Sequence, residues 1–352
     1  MLAVEMKSDL TRFRKKREGC GTTCRALLLK WVLPPFCRKG MFLTGDRIFS
    51  ILTPSKRRPQ GMPDLPTATA SSVVVIGHIN HDRIWRLKAP LRSGARITWS
   101  ERRIRLGGGG YYTARRLMDL GRPVCLVSTL CNDRHGRWAF DVLSARHYDL
   151  SHVGTSNSQT DCADILLEPN GERTILSGEK RISRSFSVPA PVEGKAFYVN
   201  GARLCDNIIR SLASAPLVVS QFPLGTPTPR PADIMVGSKA DFPGLGLEEI
   251  WQTALKLCGD RLRHLALTDG PRETTVYDGR DRHDVRVAHP VSTSDTTGAG
   301  DSFSAALLHA LIGGESLMQA AEWASEATAT WLKARDAAAR PDWSDEPEDL
   351  AD

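Results

Sequence analysis

The chain has 352 residues, of which 41% are hydrophobic and 25% charged, with a formal charge of +7. That length suits one large α/β domain plus an appendage, and no apolar run approaches the ~18 residues of a membrane span. A basic balance would point to nucleic acid or a membrane surface, but residues 1–61 hold 14 Lys/Arg against 4 Asp/Glu, and the remainder 33 against 36. The body is mildly acidic, so neither partner is expected of it.

Residues 1–61 lack a sustained amphipathic pattern. A basic run from Arg12 to Arg17 precedes a short apolar patch, Leu27 to Leu33, that ends at Pro34-Pro35. Glu5, Asp9 and Glu18 count against a transit peptide, and Lys30 interrupts an apolar segment already short for a secretory signal. The segment reads as a disordered or dispensable extension, with the functional chain starting at Met62. Cys20, Cys24 and Cys37 lack a fourth ligand at zinc-site spacing, and the five cysteines of the body form no CxxC pair. Those five read as thiols in a reducing compartment, the cytoplasm.

The body opens with Val73-Val-Val-Ile76, a run suited to a parallel strand buried on both faces. His78 to Asp82 follow at its C-terminal end, where open α/β sheets bind ligands. Residues 83–106 alternate apolar and basic, as strands covered on one face do. Ala163–Leu167 and Arg173–Leu176 make a second such pair around the turn Pro169-Asn-Gly-Glu. Between them, Gly107 to Gly110 leads into a helix from Tyr111 to Leu120 that Gly121 stops; no GK[ST] follows, which excludes a Walker A loop. A strand over Val124–Leu130 and a helix over Trp138–Ala145 come next. Strands are then expected at Phe197–Val199, Leu217–Ser220, Ile234–Val236 and Leu265–Thr268, with helices at Asp206–Ala213 and Leu247–Leu257. This alternation predicts an α/β fold with a doubly wound, mostly parallel sheet flanked by helices. Thr274–Tyr277 and Val285–Val287 read as a hairpin. A last helix runs from Leu317 to Arg335, with Ala320, Ala324, Ala327 and Trp331 toward the core, and residues 344–352 form an acidic tail.

The most informative stretch is Ser294 to Gly314, SDTTGAGDSFSAALLHALIGG. A flexible half, through Gly300, feeds directly into a helix with Phe303, Ala306, Leu307, Ala310 and Leu311 at helical spacing. Unpaired N–H groups at such a helix start, with the positive end of its dipole, make an anion site. Asp301 sits where that field favours its ionised form. The same residue is also a favoured helix cap, so the loop alone leaves both roles open.

The string DTTGAGDSF with its small-residue helix resembles the second signature of the ribokinase (PfkB) family of carbohydrate kinases. Gly107 to Gly121, GGGGYYTARRLMDLG, has the layout of that family's first signature, and His78 to Asp82 resembles its opening G-x-x-N-x-D. The resemblance implies a ribokinase-like fold over 62–343, with strands about 83–106 and 162–177 as a small β lid through which two copies pair. It implies Asp301 as catalytic base and Gly298, Ala299 and Gly300 as the anion hole. Asp82 and Asn80 would bind sugar hydroxyls beside Gly107, Gly108, Gly109 and Tyr112. Gly109 stands where ribokinase carries lysine, and Tyr112 where many members carry asparagine, changes that remove polar contacts and add an aromatic face. Thr268, Gly270 and Ser238 would meet the nucleotide, although Glu273 replaces the glycine that usually closes the T-x-G-x-x-G loop. Asp241 would help place magnesium through water, a plain helix cap being its other reading.

Asp295 matches half of a monovalent-cation (K+) site, whereas Asp336 and three alanines stand where relatives carry the glycine of the other half. The activity so implied is ATP- and Mg2+-dependent phosphorylation of a hydroxyl on a sugar or sugar derivative. The alternatives are a nucleoside kinase of the same fold, with Tyr112 stacking on a base, and a catalytically silent ligand-binding member.

Overall fold

Four apolar residues in succession form β1 (Val73–Ile76), and the side-chain alternation of a strand explains all four. Val73 and Val75 enter one apolar cluster while Val74 and Ile76 enter another on the opposite face. The computed structural model describes residues 72–337 and residue 345; the expected extension over 1–61 and the rest of the acidic tail lie outside the described residues. Contacts divide the chain into two units at Pro63/Asp64, and the second unit holds all the described residues.

After β1 the chain runs through β2 (Asn80–Leu87), β3 (Trp99–Gly107), α1 (Gly109–Asp119), β4 (Val124–Cys131), α2 (Arg134–Ala145) and β5 (Asp149–Ser156). It continues with β6 (Cys162–Leu167), β7 (Arg173–Ser177), α3 (Glu179–Ile182), β8 (Ser185–Phe186), β9 (Ala196–Val199), β10 (Arg203–Leu204) and α4 (Asp206–Ser214). The last stretch holds β11 (Val218–Gln221), β12 (Ile234–Ser238), α5 (Leu247–Cys258), β13 (His264–Thr268), β14 (Glu273–Tyr277), β15 (Arg282–Arg286), α6 (Ala299–Ile312) and α7 (Leu317–Ala337).

Nine strands build the large sheet, in the order β15-β14-β13-β12-β11-β9-β1-β4-β5. From β13 to β5 every neighbour is parallel, and β14 and β15 add an antiparallel edge. Helices α1, α2, α6 and α7 cover one face and α4 and α5 the other, the arrangement expected from the βα alternation. Helix α6 lies against α1, α7 and the strands β9, β11 and β12. It is apolar nearly all round, with Phe303 and Ala305 to Leu308 buried, as a helix walled in by others must be.

A second sheet has the order β3-β2-β6-β7, antiparallel except for the β2–β6 pair, around Ile84, Ile165 and Leu167. Strand β2 starts only three residues after β1 ends, so Asn80 and Asp82 belong to this smaller sheet. Strand β5 has no counterpart among the elements expected from the sequence: Asp149–Ser156 is polar, which an exposed edge strand tolerates. Trp331 differs as well; it is half-buried, and Leu332 beside it takes the core position.

Candidate active site

The parallel strands bring their C-terminal ends to one edge of the large sheet, and the residues singled out in the sequence gather along it. Asp82 is 3% exposed. Its carboxylate accepts from the Asn80 side-chain amide at 2.7 Å and from the Tyr112 hydroxyl at 2.6 Å. The glycine run is packed around this group. A Cβ on Gly107 would fall 2.1 Å from the Asp82 carboxyl carbon, and one on Gly108 would fall 2.5 Å from both the Asn80 side-chain oxygen and the His78 carbonyl. Gly108 also has φ +92° at the start of α1, a conformation that L side chains avoid. Gly109 abuts Asn200 at the end of β9, a residue that no motif had marked.

Tyr112 is more than an aromatic face. Its hydroxyl occupies one oxygen of Asp82, the Arg105 guanidinium lies 5.7 Å from its ring centroid, and Gly298 abuts the ring. Burial pushes the Tyr112 phenol well above its ordinary range, with Arg105 opposing and Asp82 adding to the rise. The phenol therefore stays a neutral donor. Burial likewise raises the Asp82 carboxyl, against the pull of Tyr112, Arg181 and Arg105.

Asp301 lies in the first turn of α6 and is half-buried. Loss of water around it pushes its pKa up to about 7; Asp82 adds to the rise, while Arg173, Arg181 and Thr113 oppose it. Asp82 thus acts on Asp301 through its charge, and Arg181 of α3 acts on both carboxyls, with Arg173 of β7 on Asp301 as well. Gly298 takes the left-handed conformation (φ +77°) immediately before the helix. The Ala299 amide is used by the Thr296 carbonyl (3.1 Å), whereas those of Gly298, Gly300 and Asp301 have no acceptor among the described residues. Of the three amides that the resemblance assigns to the anion hole, that of Ala299 is thus engaged within the loop.

Asp295, which matches half of a cation site in the sequence, lies between two arginines. Burial opposes its ionisation, but Arg335 and Arg105 outweigh it and hold the carboxyl below the usual range. It pairs with Arg105 at 3.4 Å and Arg335 at 3.5 Å. Farther along the edge, Ser238 and Thr268 are paired across β12 and β13, and Gly270 turns at φ +56° just beyond. Asp241 is exposed and closes a short capping box with Ser238. Glu273 is held by Lys239 at 2.8 Å. Asp336 falls beside the Asp295 loop, as its place in the resemblance implies, whereas Arg173, Arg181 and Arg335 were not predicted to meet here. They reach the site from strands and helices far along the chain, and no local pattern marks them.

A sheet of this order with helices on both faces, a small β sheet over its C-terminal edge and a glycine loop opening α6 define a kinase of the ribokinase type. Residues 70–343 match the profile of the pfkB family carbohydrate kinases, and the chain belongs to that family. It is 23% identical over 286 residues to the ribokinase of Haemophilus influenzae, covering 73% of this chain and 91% of that protein. Among solved structures it is similar to an Arabidopsis thaliana ribokinase complexed with ribose and ATP (21% identity, TM-score 0.57, 75% and 93% of the two chains). It is also similar to a Burkholderia thailandensis nucleoside kinase in complex with inosine (16%, TM-score 0.59, 74% and 91%). Among the described residues no helix is long and apolar enough to cross a membrane.

Proposed function

We propose that the chain transfers the terminal phosphoryl of ATP to a hydroxyl of a sugar or sugar derivative. The observation that carries this reading is Asp301: a half-buried carboxyl with a pKa near 7, beside helix-start amides that have no acceptor among the described residues. A base poised near neutral pH can accept the proton of an alcohol, while the amides stabilise charge on the group in transit. In-line transfer asks for little else beyond alignment.

Asp82 and Asn80 would orient the acceptor, with the backbone of Gly107 and Gly108 against it. Because the Tyr112 hydroxyl already takes one oxygen of Asp82, the acceptor meets a narrower polar surface than that carboxylate alone would offer. Ser238, Thr268 and Gly270 would line the nucleotide end of the same edge. Magnesium carried on the nucleotide's phosphates would neutralise their charge, and the exposed Asp241 would reach it through water. The outer strand of the small sheet leaves Ile175 and Leu176 about half exposed, at 49% and 54%, a surface suited to a second copy of the chain.

The test is a kinase screen on the full chain over free and phosphorylated sugars and over nucleosides, read by ADP formation. Nucleosides are included because the structural likenesses reach both acceptor classes. Arg105 over the Tyr112 ring and Gly298 against it compete with a stacked base, which favours the sugar reading. Ligand-induced stabilisation without ADP release by any acceptor would mean a binding protein instead.

A further inference from the structure

Two adjacent residues at the end of α7 hold the loop that leads into α6. Asp336 accepts from the Ser294 amide at 3.1 Å and lies 3.4 Å from its hydroxyl. Arg335 donates to the Asp295 carbonyl and, at 2.6 Å, to the Thr297 carbonyl; its guanidinium is also 3.5 Å from the Asp295 carboxylate. Three oxygens from one three-residue stretch therefore converge on Arg335, while Arg105 meets the other oxygen of the Asp295 carboxylate at 3.4 Å and reaches neither carbonyl. Without Arg335, the two carbonyl dipoles would point at one another with no donor between them, and the carboxylate would keep only Arg105. Trp331, one turn earlier in α7, lies 4.5 Å from the guanidinium and also flanks Gly298. The side chains of Arg335 and Asp295 are only 17% and 13% exposed, so water is poorly placed to substitute for the charge.

The consequence reaches the helix start. The Thr297 amide turns onto the Asp295 carboxylate at 2.8 Å, the Ala299 amide onto Thr296, and Gly298 goes left-handed. These turns set the direction of the Gly300 and Asp301 amides. We propose that Arg335 is a tethered monovalent cation, a positioning residue that fixes the carbonyls of Asp295 and Thr297 and thereby aims the helix-start amides at the phosphoryl. It makes a dissolved alkali cation unnecessary. The inference rests on the phosphoryl-transfer reading above.

The experiment compares the full-length wild type with Arg335→Ala in choline buffer, adding potassium, sodium or methylguanidinium. Wild-type turnover and melting midpoint are expected to be indifferent to each addition. The alanine variant is expected to lose about 10²-fold in kcat, as a misaimed donor set does, with a much smaller change in acceptor KM. Methylguanidinium or potassium should restore about tenfold of that loss and raise the variant's melting midpoint, through binding to the vacated oxygens. Wild-type activation of more than about fivefold by an alkali cation would overturn the proposal, since differential binding of that size is a real coupling. A folded alanine variant with unchanged kcat would overturn it too. Should alanine prevent folding, Arg335→Lys keeps a tethered charge and should retain most of kcat, whereas Arg335→Gln keeps a polar side chain without the charge and should lose it; equal kcat of the two folded variants would overturn the proposal. If no acceptor turns over, the phosphoryl-transfer reading fails, but melting still decides this one: stabilisation of the variant and not of wild type supports it, and equal responses overturn it.

Discussion

Replacing Asp301 by asparagine should damage the chemistry and strengthen the fold. Raising a carboxyl from its ordinary 3.8 to about 7 corresponds to about 4 kcal/mol against its ionised form. The side chain keeps some contact with solvent and is coupled to Asp82, so screening reduces this to about 1–2 kcal/mol. The sign follows from linkage: the folded state binds the Asp301 proton more tightly than the unfolded chain does. The associated stability is present below the ordinary carboxyl range and is lost as pH rises through about 7. An asparagine side chain carries no such charge. Asp301→Asn should therefore match wild type in urea unfolding at pH 4 and exceed it by about 1–2 kcal/mol at pH 8, or by a few degrees in melting midpoint. Its kcat should fall about 10²- to 10⁴-fold, the contribution of a general base. A stability difference that stays flat from pH 4 to pH 8 would refute the electrostatic reasoning, and near-full turnover would refute the role.

Wild-type kcat/KM should climb with pH and level off above about 7 as Asp301 ionises; a profile flat from pH 5 to pH 8 would remove that carboxyl from the rate-determining step. Asp82→Ala should raise acceptor KM by at least about tenfold and leave ATP KM within about twofold, and equal effects on both would take Asp82 out of the acceptor site. Gly107→Ala puts a methyl 2.1–2.3 Å from the three carboxyl atoms of Asp82. It should cost about 1–3 kcal/mol in urea unfolding and weaken the acceptor, whereas wild-type stability and KM would mean that the contact relaxes freely.

Elements that carry their own signal were legible. Val73–Ile76 is a doubly buried strand because each residue is apolar, and α6 is readable because glycine precedes a run of small and apolar side chains. Strand β5 was not, because its polar residues form an edge and its pairing with β4 leaves no period in the sequence. Asp82 and Asn80 were legible as a pair near a strand end, but not as members of the smaller sheet, since only three residues separate β1 from β2. The grip of Arg335 on residues 295–297 was invisible for a different reason. The contact spans about forty positions, and arginine near a helix C-terminus is commonplace enough to carry no information.

The small sheet also touches the loop before α6. Arg173 donates to the Thr296 hydroxyl at 2.7 Å, and that hydroxyl donates to the Gly171 carbonyl at 3.2 Å. Thr296 is thus a latch between the part of the molecule that carries Asp82 and the turn that aims the amides. The hydroxyl both accepts from one strand and donates to the turn beside it, so Thr296→Val would fill the space and still break both ties between the sheet of Asp82 and the start of α6.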